Sequence, residues 1–164
     1  MIEPGMQAGA LIRREALTGA AVNLVINFFI NAWMMRGKGP HRLSVDSIAT
    51  AEHTVLGSAV VVAFLLALIA ASISFFAFRK KAGALGLAPA ARLGRPYFFF
   101  GVRQALASAL FMFGAVVAAA VLFQRLLGTV EVSTAVAAAI VGFVAAVATW
   151  HASTRTSWAL LREG

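Results

Sequence analysis

The run from Thr54 to Phe78 reads TVLGSAVVVAFLLALIAASISFFAF and contains no charged residue and no histidine. It is 25 residues long, and about 20 helical residues are enough to cross the hydrocarbon core of a bilayer. A soluble helix of this length would keep one polar face toward water. The run has no charged face at all, so it predicts a transmembrane helix.

Three further runs have the same character. They are Leu17–Met35, Gln104–Gln124 and Val132–Trp150, with 19, 21 and 19 residues. We therefore expect an all-α integral membrane protein: a four-helix bundle of two transmembrane hairpins that forms a single domain over residues 1–164. Composition agrees, because 61% of the residues are hydrophobic and only 12% are charged, whereas about 25% are charged in soluble domains.

The net charge of +8 is distributed unevenly between the connections. If the N-terminus is cytoplasmic, only four of the 14 lysines and arginines lie on the opposite side, namely Arg36, Lys38, Arg42 and Arg125. This asymmetry follows the positive-inside rule and places both termini in the cytoplasm. Membrane topology therefore explains the positive charge, and we do not expect nucleic acid as a partner. With no Asn-x-Ser/Thr sequon in the chain, a bacterial inner membrane is favoured.

The predicted cytoplasmic connection, residues 79–103, is the only long one. Its glycines and prolines argue against a continuous helix. Its aromatic residues lie between arginines, an arrangement typical of the headgroup level, and basic residues beside a span favour anionic headgroups. The residues assigned to headgroup contact are Arg79, Lys80, Lys81, Arg95 and Arg103.

The first span differs from the others because it carries Asn23, Asn27 and Asn31, each four residues apart. At this spacing the three side chains, which we call the asparagine stripe, follow one side of a helix. An amide without a partner in hydrocarbon costs about 4–8 kcal/mol, so the stripe is expected to face protein or water. The residues expected to face lipid instead are Val22, Val25, Phe29 and Trp33.

Two hypotheses account for the asparagine stripe. In the first, the amides bond to neighbouring helices or to a second copy, each bond being worth about 1 kcal/mol. In the second, they line a pathway for an uncharged or zwitterionic solute, because an amide offers both a donor and an acceptor without charge. By a small margin, we predict a permease-like transporter that acts as a homo-oligomer. The alternative is a non-transporting scaffold or accessory subunit whose stripe binds a partner helix.

Small residues recur at four-residue spacing on the other spans, where they let helix backbones approach closely. Helix packing is the role that we expect for these residues, whichever hypothesis holds for the asparagine stripe. The residues assigned to it are Gly57, Ala63, Ala67, Gly114, Ala118, Ala138, Gly142 and Ala146.

Catalysis and metal binding find little support in the sequence. There is no cysteine, and no HExxH, GxSxG or Walker-type motif. His41, Asp46, Glu52 and His53 lie near one another on the predicted external side, but their spacing is not that of a zinc site, and ordinary hydrated surface is expected. We predict that the protein is not an enzyme, and we assign no catalytic residue, metal or cofactor.

The two halves of the chain resemble each other weakly. A shift of 89 residues aligns Arg14-Glu15-Ala16-Leu17 with Arg103-Gln104-Ala105-Leu106, and Gly39 with Gly128. A parallel internal repeat about an axis along the membrane normal would produce such matches. Coincidence would also produce them, since alanine-rich spans flanked by arginine align easily, and coincidence is the favoured explanation.

Overall fold

The computed structural model describes residues 4–45, 54–84 and 97–163 of the chain. Within these ranges there are four helices: α1 Pro4–Met35, α2 Val55–Ala84, α3 Tyr97–Leu127 and α4 Thr134–Glu163. All four are long and apolar enough to cross a membrane. The prediction of an α-helical chain with four membrane-spanning segments is confirmed at this level.

Each helix extends beyond the apolar run that predicted it. α1 begins at Pro4 rather than near Leu17, and α2 continues to Ala84. Residues 79–84 and 97–103 of the predicted connection are therefore helical, and only residues 85–96 between them lie outside the described ranges. Lysine, arginine and glutamate are good helix formers. Charged residues that flank an apolar run therefore mark a change in polarity and not the end of the helix.

α2 and α4 begin with the same capping arrangement. The side-chain oxygen of Thr54 accepts a hydrogen bond from the backbone N–H of Gly57 at 3.3 Å, and that of Ser133 accepts one from the N–H of Val136 at 3.4 Å. A hydroxyl at the N-cap satisfies one of the backbone donors that the first turn leaves without a partner. Each cap therefore fixes where its helix starts.

Two short strands, one between α1 and α2 and one between α3 and α4, pair with each other at the end of the helices that is predicted to be external. β1 (His41–Leu43) pairs antiparallel with β2 (Val130–Val132), and Arg42 lies opposite Glu131. The chain reaches each strand through a glycine in the left-handed region, Gly39 with a φ of 78° and Gly128 with a φ of 70°, a conformation that costs glycine little because it lacks a Cβ. This sheet was not predicted.

The helices contact one another in the order α1–α4–α2–α3. α4 lies between α1 and α2, while α3 packs mainly on α2 and only slightly on α4. α4 is accordingly the most buried span and α1 the least. The predicted hairpin partners, α1 with α2 and α3 with α4, make few contacts with each other: α1 and α2 each pack mainly on α4, and α3 packs mainly on α2.

The interior shared by α2, α3 and α4 is built almost entirely from small side chains. Alanine at these positions allows close helix approach, whereas large apolar residues point outward, as at Phe29 and Trp33, which are 65% and 76% exposed. In a bilayer such side chains contact lipid. The buried cluster consists of Ala63, Ala67, Ala70, Ala71, Ala105, Ala109, Met112, Ala148 and Ala152.

Candidate functional site

The asparagine stripe lies on the buried side of α1, and the helix that α1 mainly contacts is α4. Asn31 is buried, and Asn23 and Asn27 are half-buried. Ala16 and Ala20, earlier on the same side of the helix, are also buried. The stripe therefore faces protein at least in part, and the helix opposite belongs to the same chain.

Each amide of the stripe donates a hydrogen bond to the backbone of its own helix. Nδ2 of Asn23 lies 3.2 Å from the carbonyl oxygen of Gly19, Nδ2 of Asn27 lies 2.9 Å from that of Asn23, and Nδ2 of Asn31 lies 2.8 Å from that of Asn27. A side chain that bonds back to the preceding turn needs no donor or acceptor on another helix. In the described parts of the chain, no hydrogen bond links the stripe to α4.

α4 approaches the backbone of α1 closely beside the stripe. A Cβ built on Gly142 would lie 3.0 Å from the carbonyl oxygen of Leu24 and 3.3 Å from the amide nitrogen of Phe28. Nearer the other end of the interface, a Cβ built on Gly19 would lie 3.4 Å from Cγ2 of Thr149. These two contacts show that the helices run antiparallel, with little space between their backbones at the level of the stripe.

The residues assigned to helix packing occupy two different environments. Gly114 and Ala118 are exposed on α3, and a Cβ built on Gly114 would meet no atom within 4 Å. A packing role for this pair would therefore require a second molecule. Gly101, which was not assigned to helix packing from the sequence, has less space around it, because a Cβ there would lie 2.8 Å from the ring of Phe75. The other assigned residues are buried or half-buried: Gly57, Ala63, Ala67, Ala138, Gly142 and Ala146.

The basic residues assigned to headgroup contact lie near the predicted cytoplasmic end. Nζ of Lys81 is 2.6 Å from Oε2 of Glu15, and both side chains are about half-exposed. This ion pair connects α2 to α1, although the two helices make few other contacts. Arg95 lies outside the described residues. The other four are exposed: Arg79, Lys80, Lys81 and Arg103.

At the other end of the helices, polar contacts link the α1–α2 and α3–α4 connections. Nε2 of His41 lies 3.1 Å from Oγ1 of Thr134, and Arg42 faces Glu131 with 3.9 Å between Nε and Oε1. The side-chain oxygen of Gln124 accepts a hydrogen bond from the backbone N–H of Val45 at 2.8 Å. Asp46, Glu52 and His53 lie outside the described residues. Within the described ranges, no three histidine or carboxylate side chains are close enough to share a metal ion.

The C-terminal half of α4 holds polar groups that the sequence analysis did not select. His151 stacks on Phe111 of α3 with ring centroids 4.6 Å apart. The signal was present in the sequence, because six hydroxyl or imidazole side chains occur between Thr149 and Ser157. Four buried atoms in this region have no hydrogen-bond partner among the described residues: Oγ of Ser108, Nε2 of His151, Oγ1 of Thr154 and Oγ1 of Thr156.

An open groove of about 860 Å³ lies on the outside of the α1–α4 interface, and we call it the α1/α4 groove. A second space, of about 380 Å³, adjoins Val45 and Gln124 near the two-stranded sheet. The third, of about 30 Å³, lies beside the Glu15–Lys81 ion pair. None of the three is lined by the asparagine stripe.

Comparison of the chain with protein families, with curated proteins and with solved structures finds no match. The four apolar helices remain the observation that indicates a membrane protein.

Proposed function

We propose that this chain is a non-transporting integral membrane protein, a scaffold or accessory subunit, in which α1 packs closely on α4 beside the asparagine stripe. The observation that carries the proposal is the contact of Gly142 with the backbone of Leu24 and Phe28. A solute pathway along the stripe would need space between α1 and α4, and this backbone approach fills the space. Both termini are assigned to the cytoplasmic side of a bacterial inner membrane on the basis of charge.

The hydrogen bonds of the stripe support the same proposal. Each amide already donates to a carbonyl oxygen of its own helix at 3.2 Å or less, so one donor of each side chain is satisfied without solute. The nearby side chains on α4 include Gly142 and Ala146, both buried, and neither has a group that could bind a polar solute. Close helix approach over small residues is how transmembrane helices associate stably.

Transport of an uncharged or zwitterionic solute is the second candidate, and one observation favours it. No described donor reaches Oδ1 of Asn23 or Asn27, and both side chains are only half-buried. Free acceptors at this depth would suit a polar solute if a second copy closed over the exposed side of α1. This candidate therefore requires a homo-oligomer, whereas the scaffold proposal is compatible with a homo-oligomer or with other membrane subunits.

Proteoliposomes distinguish the two candidates. Under the scaffold proposal, osmotic light scattering with urea, glycerol or glycine should give the same influx rate as protein-free liposomes. A saturable influx that disappears in the variant N23A/N27A/N31A would overturn it, provided that the variant keeps its elution volume and melting temperature. The matched control is V22A/V25A/F29A, which changes three exposed residues of the same helix and should leave any influx unchanged.

We also infer that the two halves of the chain form a parallel repeat. Three pairs of features support it: Gly39 and Gly128 both have a positive φ, Arg42 and Glu131 meet at the centre of the sheet, and α2 and α4 begin with equivalent caps. The first two pairs are 89 residues apart, which is the shift found from the sequence. Exchanging α1 with α3 and α2 with α4 leaves the helix order unchanged.

A further inference from the structure

The α1/α4 groove combines basic, aromatic and apolar side chains on one surface. It is open on one side and encloses about 860 Å³, within the range of about 300–1,000 Å³ typical of small-molecule sites. Among the described residues, the lining contains no aspartate or glutamate. Its residues are Gly9, Ala10, Ile12, Arg13, Arg14, Leu17, Thr18, Trp150, Thr154 and Trp158.

Arg13 and Arg14 give the groove its charge. Both are exposed, and no described carboxylate pairs with either of them. The carboxylate next to them in sequence, that of Glu15, forms an ion pair with Lys81, with 2.6 Å between Oε2 and Nζ. Two positive charges therefore remain available at the groove, and an anionic group is the chemistry that would complement them.

The two tryptophans place the groove at the level of the lipid headgroups. Trp150 and Trp158 are 46% and 39% exposed, and tryptophan is enriched where the bilayer meets water. Trp158 lies over Gly9, whose Cβ would be 3.8 Å from the indole ring. Because α1 and α4 are antiparallel, Trp158 marks the outer end of the groove and Trp150, near Leu17, its deeper end.

A polar atom without a partner lies between these two ends. Oγ1 of Thr154 is buried, has no hydrogen-bond partner among the described residues, and belongs to a side chain that lines the groove. Counting from Trp158, Thr154 lies one helical turn deeper, near the level of Arg14. Rotation of the Thr154 side chain about χ1, which has two common rotamers for threonine in helices, would turn this hydroxyl toward an oxygen atom that the arginines also attract.

We infer that the α1/α4 groove binds an anionic phospholipid, with its phosphate at Arg13, Arg14 and Thr154. One acyl chain extends toward the bilayer centre along Leu17 and Trp150. Charge decides between lipid classes: a zwitterionic headgroup brings a cation for which the described part of the lining offers no carboxylate. The inference does not rest on the proposed function, since such a site would serve a scaffold or a transporter equally.

Titration of the purified protein in detergent with phosphatidylglycerol and with phosphatidylcholine tests this site. Native mass spectrometry should show phosphatidylglycerol retained at lower lipid concentration than phosphatidylcholine. The variant R13Q/R14Q should bind phosphatidylglycerol about 30-fold more weakly, from about 1 kcal/mol per basic residue near a membrane surface at 1.4 kcal/mol per tenfold. The control R36Q/R125Q removes the same charge at the opposite end and should keep wild-type affinity.

Equal affinity for the two lipids, or equal losses in R13Q/R14Q and R36Q/R125Q, would overturn the inference. A second measurement leaves the arginines unchanged. In the variant W33F only Trp150 and Trp158 fluoresce, since the chain has three tryptophans. Phosphatidylglycerol with brominated acyl chains should quench them more strongly than brominated phosphatidylcholine at equal mole fraction in mixed vesicles. Equal quenching would mean that bulk lipid occupies the groove. A native dimer that takes up neither lipid would mean that a second copy occupies it. Either result would overturn the inference.

Discussion

Gly142 of α4 lies against the backbone of Leu24 in α1, so closely that a Cβ at position 142 would be 3.0 Å from the Leu24 carbonyl oxygen. A gap this small cannot be widened by moving a flexible side chain, because the atom it meets belongs to the main chain of a helix. The distance between α1 and α4 is therefore limited by backbone contact at this point.

Alanine at position 142 should separate the two helices. We expect Gly142→Ala to lower the free energy of unfolding by about 1–3 kcal/mol through overpacking. Gly114→Ala is the matched control, because its Cβ would meet no atom within 4 Å and alanine is the better helix former by about 1 kcal/mol. Tryptophan fluorescence during thermal unfolding in detergent measures both. Equal destabilisation by the two substitutions would contradict the proximity of Gly142 to α1.

A cysteine pair can test which helix lies beside α1. The chain has no cysteine of its own, and a Cβ at position 19 would lie 3.4 Å from Cγ2 of Thr149. Oxidation of the variant G19C/T149C should link α1 to α4. With a protease site inserted between residues 85 and 96, the two cleaved halves should stay together on a gel without reductant and separate with it. Separation in both lanes would exclude the helix order α1–α4–α2–α3.

Single removal of each asparagine amide should have a small effect on stability. Asn27→Ala loses a hydrogen bond worth about 0.5–1.5 kcal/mol net, but alanine regains up to about 0.7 kcal/mol in helix propensity. The same reasoning applies to Asn23 and Asn31, so each variant should lie within about 1 kcal/mol of wild type in reversible unfolding. A loss of more than about 2 kcal/mol for Asn31→Ala would indicate a bond to another helix.

The two-stranded sheet offers a comparison between two residues that pair in register. Leu43 is buried against Val55 and Val141, whereas its partner Val130 is 37% exposed. We expect Leu43→Ala to cost about 2–4 kcal/mol and Val130→Ala about 0.5 kcal/mol or less. Denaturant unfolding of the two variants provides the test. Similar losses would mean that the sheet, and not the apolar contacts beneath it, is responsible for stability at this end.

Orientation in the membrane can be read from reporter fusions. The charge asymmetry predicts that a fusion at residue 40 is exported and one at residue 90 is cytoplasmic. Alkaline phosphatase should therefore be active only at residue 40, and green fluorescent protein should fluoresce only at residue 90. The opposite pattern would place both termini outside, and would move Arg13, Arg14 and the α1/α4 groove to the other leaflet.

The helices could be predicted because apolar length is a local property of the chain. Their partners could not, because Gly114 and Gly142 have the same context, each four residues before an alanine, yet only Gly142 meets another helix. The sheet was missed because strands of three residues carry too little alternation to be recognised, and because its central residues, Arg42 and Glu131, lie far apart in the chain.

The asparagine stripe shows how far sequence reasoning about a site can reach. Its position on the buried side of α1 could be predicted from the four-residue spacing. Its bonds could not, because the carbonyl four residues earlier is within reach on every helix, as at Gly19 for Asn23. The need of each amide for a hydrogen-bond partner therefore did not show which atom that partner would be. The α1/α4 groove could not be predicted from the sequence either, because its residues come from the two ends of the chain.

The helix order also has a consequence for biosynthesis. Of the four helices, α1 is made first and α4 last, yet α4 is the main contact of α1 and also separates it from α2. After the first three helices have entered the bilayer, α1 still lacks its main partner, and its described links to α2 are the ion pair of Glu15 with Lys81 and the buried cluster that holds Ile12 with Phe75 and Phe78. The position of α1 is therefore completed only when the final helix inserts between two that arrived before it. Loss of α4 would remove the main contact of α1, whereas loss of α1 would leave the contacts among α2, α3 and α4 intact.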